Sequence, residues 1–276
     1  MSIKYAYLGP AGTFTEAALI KISEKNDQLI AYANVTAALN AVRVGECEKA
    51  LVPIENSVEG VVARTLDELA IGDPLVITAE TTLPVSFSLM SLDKTDPKEI
   101  KSIATHPHAE AQCRSYIAKN FPNAQLIETS STAAAAKGLS KGDYEAAIAA
   151  PIAATNYGLK VLAQNIGDNQ GAVTRFVVVE KPGQTPPVTG NDRTSLAVFI
   201  DIDHAGALLE ILNEFAKHQI NLTFIQSRPT GIELGHYHFI IDAEGHIDEP
   251  GISAVLVGLK QICDDIRFLG SYPQAK

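Results

Sequence analysis

Short apolar runs alternate with helix-like stretches along the first two thirds of the chain, and the runs have the length of buried strands. In "GAVTRFVVV", residues 171–179, Val177, Val178 and Val179 form an unbroken β-branched run, which suits a strand covered on both faces. The run opens on a polar pair, Thr174 and Arg175, at the strand's mouth. Upstream, "YAYLGPAGTFTEAAL", "ALVPIENSVEGVVARTLDEL", "SIATHPHAEAQCRSYI" and "LIETSSTAAAAKGL" each pass from strand through a turn into a helix. Thr13 with Glu16 matches a capping box, and Asn56 with Glu59 three residues on reads as a second helix start. Pro107 suits a first helical turn, and Ser130, Ser131 and Thr132 open the fourth helix. The pattern predicts a mostly parallel α/β sheet. Each junction leaves free N–H groups and the positive end of a helix dipole at the sheet's carboxyl edge. Four such ends facing one crevice would make an anion site. Every α/β protein has such junctions, so the pattern leaves open whether these bind anything.

The periodicity breaks at "EKPGQTPPVTGND", residues 180–192, where Pro and Gly replace periodic apolar positions. Beyond it, "TSLAVFID" alternates as a strand, "HAGALLEILNEFAKHQI" has helical spacing, and "NLTFIQSRP" and "GHYHFIIDAEGH" read as strands. "GISAVLVGLKQICDDI" follows as a helix and "RFLGSY" as a last strand. The order β-α-β-β-α-β predicts a ferredoxin-like α+β sandwich with two helices on one sheet face. The expected division is residues 1–180, a linker at 181–192, and a second domain at 193–276.

A chain of 276 residues is long enough for about two domains. Its net charge of −10 and the lack of any Lys/Arg run argue against nucleic acid, but not against a small anion met by local donors in a cleft. No segment is apolar for long enough to span a bilayer, and "MSIKYAYLGP" has none of the features of a signal peptide. A cytoplasmic protein without membrane contact is expected. Cys47, Cys113 and Cys263 are scattered and read as packed thiols. His106 and His108, and again His236 and His238, stand two apart, yet without a carboxylate or third His nearby in sequence no metal is expected. "GPAGTF" is neither a dinucleotide fingerprint nor a P-loop, so no cofactor is expected, and no GxSxG elbow is present. What remains is a set of hydroxyls and amides at the turns: Thr13, Asn56, Ser57, Thr105, Gln112, Ser131, Thr132 and Thr174. Taken singly, each is more readily a cap than a ligand.

Taken together, "YLGPAGTFTEAA", "VPIENSVEGVV", "THPHAEAQC", "STAAAAKGL" and "VTRFVVV" stand in the order seen in prephenate dehydratases. The tail, "GALLEILNEFAKHQINLTFIQSRP" through "LGHYHFIIDAEGH" to "RFLGSYP", resembles the ACT regulatory domain of that family. The resemblance covers essentially the whole chain and implies a two-lobed, periplasmic-binding-protein-like α/β domain with its site between the lobes, followed by the ACT domain. The implied reaction turns prephenate into phenylpyruvate with loss of water and CO2, as a step of phenylalanine biosynthesis. By resemblance Thr174 carries the essential hydroxyl, and Thr13, Glu55, Asn56, Ser57, Thr105, Gln112, Ser131, Thr132, Arg175 and Phe176 surround the substrate. Arg175 is open between two roles: pairing the pyruvyl carboxylate, or bridging the lobes through Glu55. Phe14 or Phe176 is expected to face the departing carboxylate, since desolvation disfavours its charged form.

The same resemblance implies phenylalanine as allosteric effector and a homodimer or homotetramer built by side-by-side ACT pairing. Gly206, Ala207 and Leu208 at a helix start would receive the effector. Asn221, Leu222, Thr223, Gln226, Ser227, Arg228 and Pro229 would form the facing wall. Three positions depart from the family pattern: His108 and Gln226 stand where Gln and Glu are usual, and Ala205 where Pro often stands. Two rivals are arogenate dehydratase, which has the same chemistry on an amino substrate, and a non-catalytic ligand sensor.

Overall fold

The computed structural model describes residues 2–92, 95–200, 204–230 and 237–275. A first lobe runs β1 (Lys4–Leu8), α1 (Phe14–Ile22), β2 (Gln28–Tyr32), α2 (Val35–Arg43), β3 (Lys49–Asn56), β4 (Gly60–Val61), α3 (Ala63–Ile71) and β5 (Val76–Pro84). The chain then builds a second lobe from β6 (Ser88–Ser91), β7 (Ser102–Thr105), α4 (Pro107–Gln112), α5 (Arg114–Asn120), β8 (Gln125–Glu128), α6 (Thr132–Gly138), β9 (Ala146–Ala149), α7 (Pro151–Tyr157) and β10 (Lys160–Ala163). It returns to the first lobe as β11 (Val173–Glu180). The first sheet has the order β2-β1-β3-β11-β5 with β4 beside β3, and the second β10-β6-β9-β7-β8. Strands β1, β2 and β3 are mutually parallel, but β11 runs antiparallel between β3 and β5. The sheet is therefore mixed where a mostly parallel one was expected, because its last strand comes home from the other lobe. The two crossings lie side by side, with the Val85 N–H donating to the Ala172 carbonyl at 2.7 Å.

Strand β11 is covered on both faces, as its valine run requires. Phe176 and Val178 pack under α1 with Tyr5, Tyr7, Leu19 and Leu51. Val177 and Val179 join the opposite core with Leu39, Val42, Leu66 and Leu69 of α2 and α3. That second core also takes in Ala197, Ile240, Leu269 and Tyr272 from the C-terminal unit.

The C-terminal unit is β12 (Asp192–Ile200), α8 (Ala207–Lys217), β13 (Leu222–Pro229), β14 (Tyr237–Glu244), α9 (Pro250–Ile262) and β15 (Asp265–Pro273). Its antiparallel sheet, ordered β13-β14-β12-β15, is the ferredoxin-like arrangement expected. Leu196, Val198 and Ile241 pack against Ile211 and Phe215 of α8 and Val255 and Leu259 of α9. The other sheet face rests on the first lobe. A Cβ at Gly270, whose φ is +144°, would stand 2.1 Å from the Ile77 carbonyl oxygen, so glycine is what lets β15 lie this close to β5. The stretch from 181 to 191 holds neither helix nor strand, yet it is pinned. Asp192 accepts from the Thr189 and Gly190 backbone N–H groups at 2.7 and 3.0 Å, and the His246 ring contacts the Pro186 carbonyl at 2.9 Å.

One predicted helix start is corrected. Asn56 does not open a helix: Gly60, at φ +81°, turns the chain back so that β4 pairs with β3, and α3 begins only at Ala63. The other three junctions open helices where expected, with Thr13 and Ser131 as side-chain caps and Pro107 in the first turn of α4, but the capping box at Thr13 is only half made, since the Glu16 carboxylate accepts from the Gly12 N–H instead.

Candidate active site

Side chains alternate along a strand, and β11 uses both directions. Thr174 shares a face with Phe176 and Val178 and stands at the end nearest the second lobe, while Arg175 points the opposite way with Val177 and Val179. Thr174 lines a cavity of about 270 Å³ between the lobes. Asn56, Gln112, Ser131 and Thr132 line it too, with Phe14, Val85, Phe87, His106, His108, Ala109 and Ser130. Phe14 and Phe87, one from each lobe, meet edge to face at 5.4 Å and give the cavity its apolar wall.

The turn after β3 fixes the key pair. Asn56 Oδ1 accepts from the backbone N–H groups of Val58 and Glu59 at 2.8 and 2.9 Å. That leaves its amide nitrogen to donate to Thr174 Oγ1, at 2.8 Å. Two backbone donors thus settle which end of the amide is which. With its oxygen accepting from Asn56, the Thr174 hydroxyl keeps its own proton for another acceptor. Glu59, from the same turn, reaches across the cleft and accepts from Gln112 Nε2 at 2.8 Å. On a different side of the lobe junction, Asn156 donates to Glu16 at 2.6 Å and Tyr157 to the Ala11 carbonyl at 2.5 Å.

Several residues expected around the substrate lie elsewhere. Arg175, 7% exposed, turns from the cleft into the seam with the C-terminal unit, where it donates to Asp242 at 2.7 Å and Glu80 at 3.1 Å. Glu55 flanks it at 3.3 Å. Of the two roles left open for Arg175 neither is met as stated: it bridges, but to the C-terminal sheet rather than to the second lobe. Burial alone would weaken the guanidinium's hold on its proton; Asp242, then Tyr272 and Glu80, outweigh it and raise the pKa. Arg193 joins through Glu80 at 3.1 Å, and Ser195 donates to Asp242 at 2.6 Å. Phe176, 1% exposed, shares the Thr174 face but lies two residues deeper, roughly 7 Å along the strand, beneath α1. Thr105 Oγ1 donates to the Ile148 carbonyl at 2.8 Å, Ser57 Oγ accepts from the Val173 N–H at 3.0 Å, and Thr13 Oγ1 caps α1. These three serve the backbone around the cavity and do not line it.

In the C-terminal unit, Gly206 (φ +101°) precedes α8, whose first turn holds Ala207 and Leu208. Asn221 leads into β13, which carries Leu222, Thr223, Gln226, Ser227, Arg228 and Pro229 and forms the edge of its sheet. Arg228 is engaged away from that edge, in a bidentate pair with Asp67 of α3 at 2.9 and 2.8 Å. His238 is fully buried and stacks on Phe199 at 5.1 Å; its expected companion His236 lies outside the described residues. Among the described residues no cluster of potential metal ligands occurs, and no helix is long and apolar enough to cross a membrane.

Sequence reasoning passed over Val85, Phe87 and Ala109 as cavity residues, since nothing in a local apolar pattern separates a wall from a core. His106 was visible only as half of a metal-like pair.

Comparison with known proteins agrees with this architecture. The prephenate dehydratase family profile matches residues 5–184, and the ACT domain profile residues 194–259. A prephenate dehydratase of Amycolatopsis methanolica is 46% identical over 99% of this chain and 89% of its own. The crystal structure of prephenate dehydratase from Arthrobacter aurescens in complex with L-Phe is 49% identical, with a TM-score of 0.94 over 99% of this chain and 90% of that one. That of Staphylococcus aureus is 28% identical with a TM-score of 0.84, covering 98% and 100%. With both profiles matched in order along one chain, the protein belongs to the prephenate dehydratase family and carries its ACT domain.

Proposed function

We propose that the chain converts prephenate to phenylpyruvate, with Thr174 as the group that assists departure of the ring hydroxyl. The observation that supports this is the Asn56–Thr174 hydrogen bond of 2.8 Å inside the interlobe cavity, which orients the threonine and leaves its O–H available to donate. As the ring C–O bond breaks, its electron pair leaves with the oxygen, which takes a hydrogen bond from Thr174 and departs as water with a proton drawn finally from solvent. The bond to the ring carboxylate breaks in the opposite sense: its electrons enter the ring, replacing the pair lost with the oxygen, so the ring becomes aromatic and the carboxylate leaves as CO2. The apolar pair Phe14 and Phe87 suits a carboxylate that must lose its charge. A donor so placed contributes ~10²–10⁴-fold. Asn56, Gln112, Ser131 and Thr132, the other expected residues that line the cavity, are there to orient the substrate.

The boundaries proposed for the parts are residues 1–180 for catalysis, 181–192 as connection and 193–276 as the ACT domain, acting in the cytoplasm. Phenylalanine is the proposed effector, taken up beside the start of α8 and β13. Strand β13 pairs only with β14 among the described residues, and an open edge of this kind suits pairing with a second copy, as a dimer or a tetramer of such pairs. Arg228 is left out of the effector wall in this reading.

The test is phenylpyruvate formation from prephenate by the purified chain, with and without phenylalanine. Turnover that phenylalanine alters is expected. No turnover of prephenate alongside turnover of arogenate would replace the substrate, and binding of prephenate without turnover would replace the enzyme by a sensor.

A further inference from the structure

A cavity that must hold a doubly charged anion is short of cations. None of the described residues lining it is Lys or Arg, and Arg175, next in sequence to Thr174, is spent on Asp242 and Glu80. Two lining residues can carry positive charge, His106 and His108, and their surroundings differ. His106 Nδ1 accepts from the His108 backbone N–H at 3.3 Å, capping α4, so that nitrogen carries no proton. Burial, and after it the neighbouring His108, lowers the pKa of His106. His108 is two-thirds exposed, and its Nδ1 lies 3.4 Å from Glu59 Oε2. The same carboxylate accepts from Gln112, one helical turn further along α4. Glu59 in turn is fixed through its backbone N–H by Asn56. One carboxylate from the first lobe thus holds two side chains of the second. It would itself repel an anionic substrate unless His108 were protonated. A proton on Nδ1, held toward Glu59, leaves Nε2–H as the second donor of an imidazolium at the cavity wall.

We propose that His108, as an imidazolium, is the specificity-determining cation for one carboxylate of the substrate, and that Glu59 is the positioning residue that holds it. The proposal rests on the dehydratase reading and adds the group that recognises charge. The titratable groups facing the histidine pair are Glu59 on the turn after β3 and Glu128 at the end of β8, and the two rings face each other at 5.0 Å.

The experiment is steady-state kinetics on prephenate from about pH 6 to 8.5, the range in which histidine changes charge, for the native chain, His108→Gln, His108→Arg and Glu59→Gln. In the native chain KM rises by about tenfold with pH, the scale of one charge-assisted contact. His108→Gln starts at the high KM and loses the slope, with kcat moving far less than KM. His108→Arg restores the low KM and keeps it flat, and Glu59→Gln, which releases the imidazole from its 3.4 Å contact, raises KM with kcat moving far less. A native KM and slope in His108→Gln would overturn the inference and leave the dehydratase standing. No turnover of prephenate by the native chain would remove the reading and the inference together.

Discussion

The two faces of β11 are built to opposite rules. On the cleft face, Thr174 is held by one neutral hydrogen bond beside an open cavity walled by phenylalanines. On the seam face, the very next residue is buried between Glu80 and Asp242, with Glu55 at its more open side and Arg193, Ser195 and Tyr272 around them. The difference teaches that neighbouring positions in a motif need not share a task. A pleated strand delivers alternate residues to different compartments, so "TR" couples a reacting group to an anchor. Removing the first should cost rate, and removing the second should cost fold.

The comparison breaks most visibly at Thr174. Thr174→Ala is expected to lower kcat by ~10²–10⁴-fold with KM and the melting temperature close to native; near-normal turnover would erase the distinction from the cleft side. Arg175→Met should do the reverse, lowering unfolding free energy by about 3 kcal/mol, since it removes one of the two guanidiniums that balance the buried Glu80 and Asp242 and leaves Arg193 alone with both. Urea titration reads the loss, and kinetics on the surviving folded protein should show a near-native KM; a raised KM with full stability would return Arg175 to the substrate. Asn56→Ala, which frees the Thr174 oxygen and also releases the Val58 and Glu59 N–H groups that Oδ1 holds, should cut kcat by at least about tenfold, one hydrogen bond's worth, again by steady-state kinetics. Smaller still is Asp67→Asn, which frees Arg228 at the partly exposed rim of the seam. It should cost no more than about 1 kcal/mol, and less in high salt, as melting in two salt concentrations would show. The last is a matter of sign. The pKa of His106 is lowered on folding, by burial first, so the unfolded chain binds its proton more readily. Its contribution to stability is present above the ordinary value of 6.5 and is lost as pH falls through the folded pKa. His106→Asn should flatten stability against pH in that window.

The fold was more legible than the site. Periodicity and the Pro/Gly break at 180–192 separated an α/β part from the βαββαβ unit, because strand and helix signals are local, while the division of the α/β part into two lobes came only from the family resemblance. The mistaken helix start at Asn56 came from the same local logic: the side chain does cap backbone N–H groups, but Gly60 turns those groups into a hairpin. The site depends on which way a side chain points and how deep it lies, and sequence order carries neither. Phe176 and Thr174 share a face, and only the cover of α1 separates core from cavity. Arg175 and Arg228 looked like ligand-binding guanidiniums until their partners, Asp242 and Asp67, came from opposite sides of the seam. Those partners lie 67 and 161 residues away in sequence.

Gly270 sets how the two halves can speak to each other. Where a backbone strand rests on another with no room for a methyl group, the C-terminal unit is no pendulum on a tether. Its sheet shares one hydrophobic core with the first lobe, and cutting the connection at 181–191 should leave the pieces joined. A message from the C-terminal unit cannot be sent by letting go. It would pass through what the C-terminal sheet rests on: α3, held through Asp67, and β5 and β11, which lead to the crossings beside Thr174.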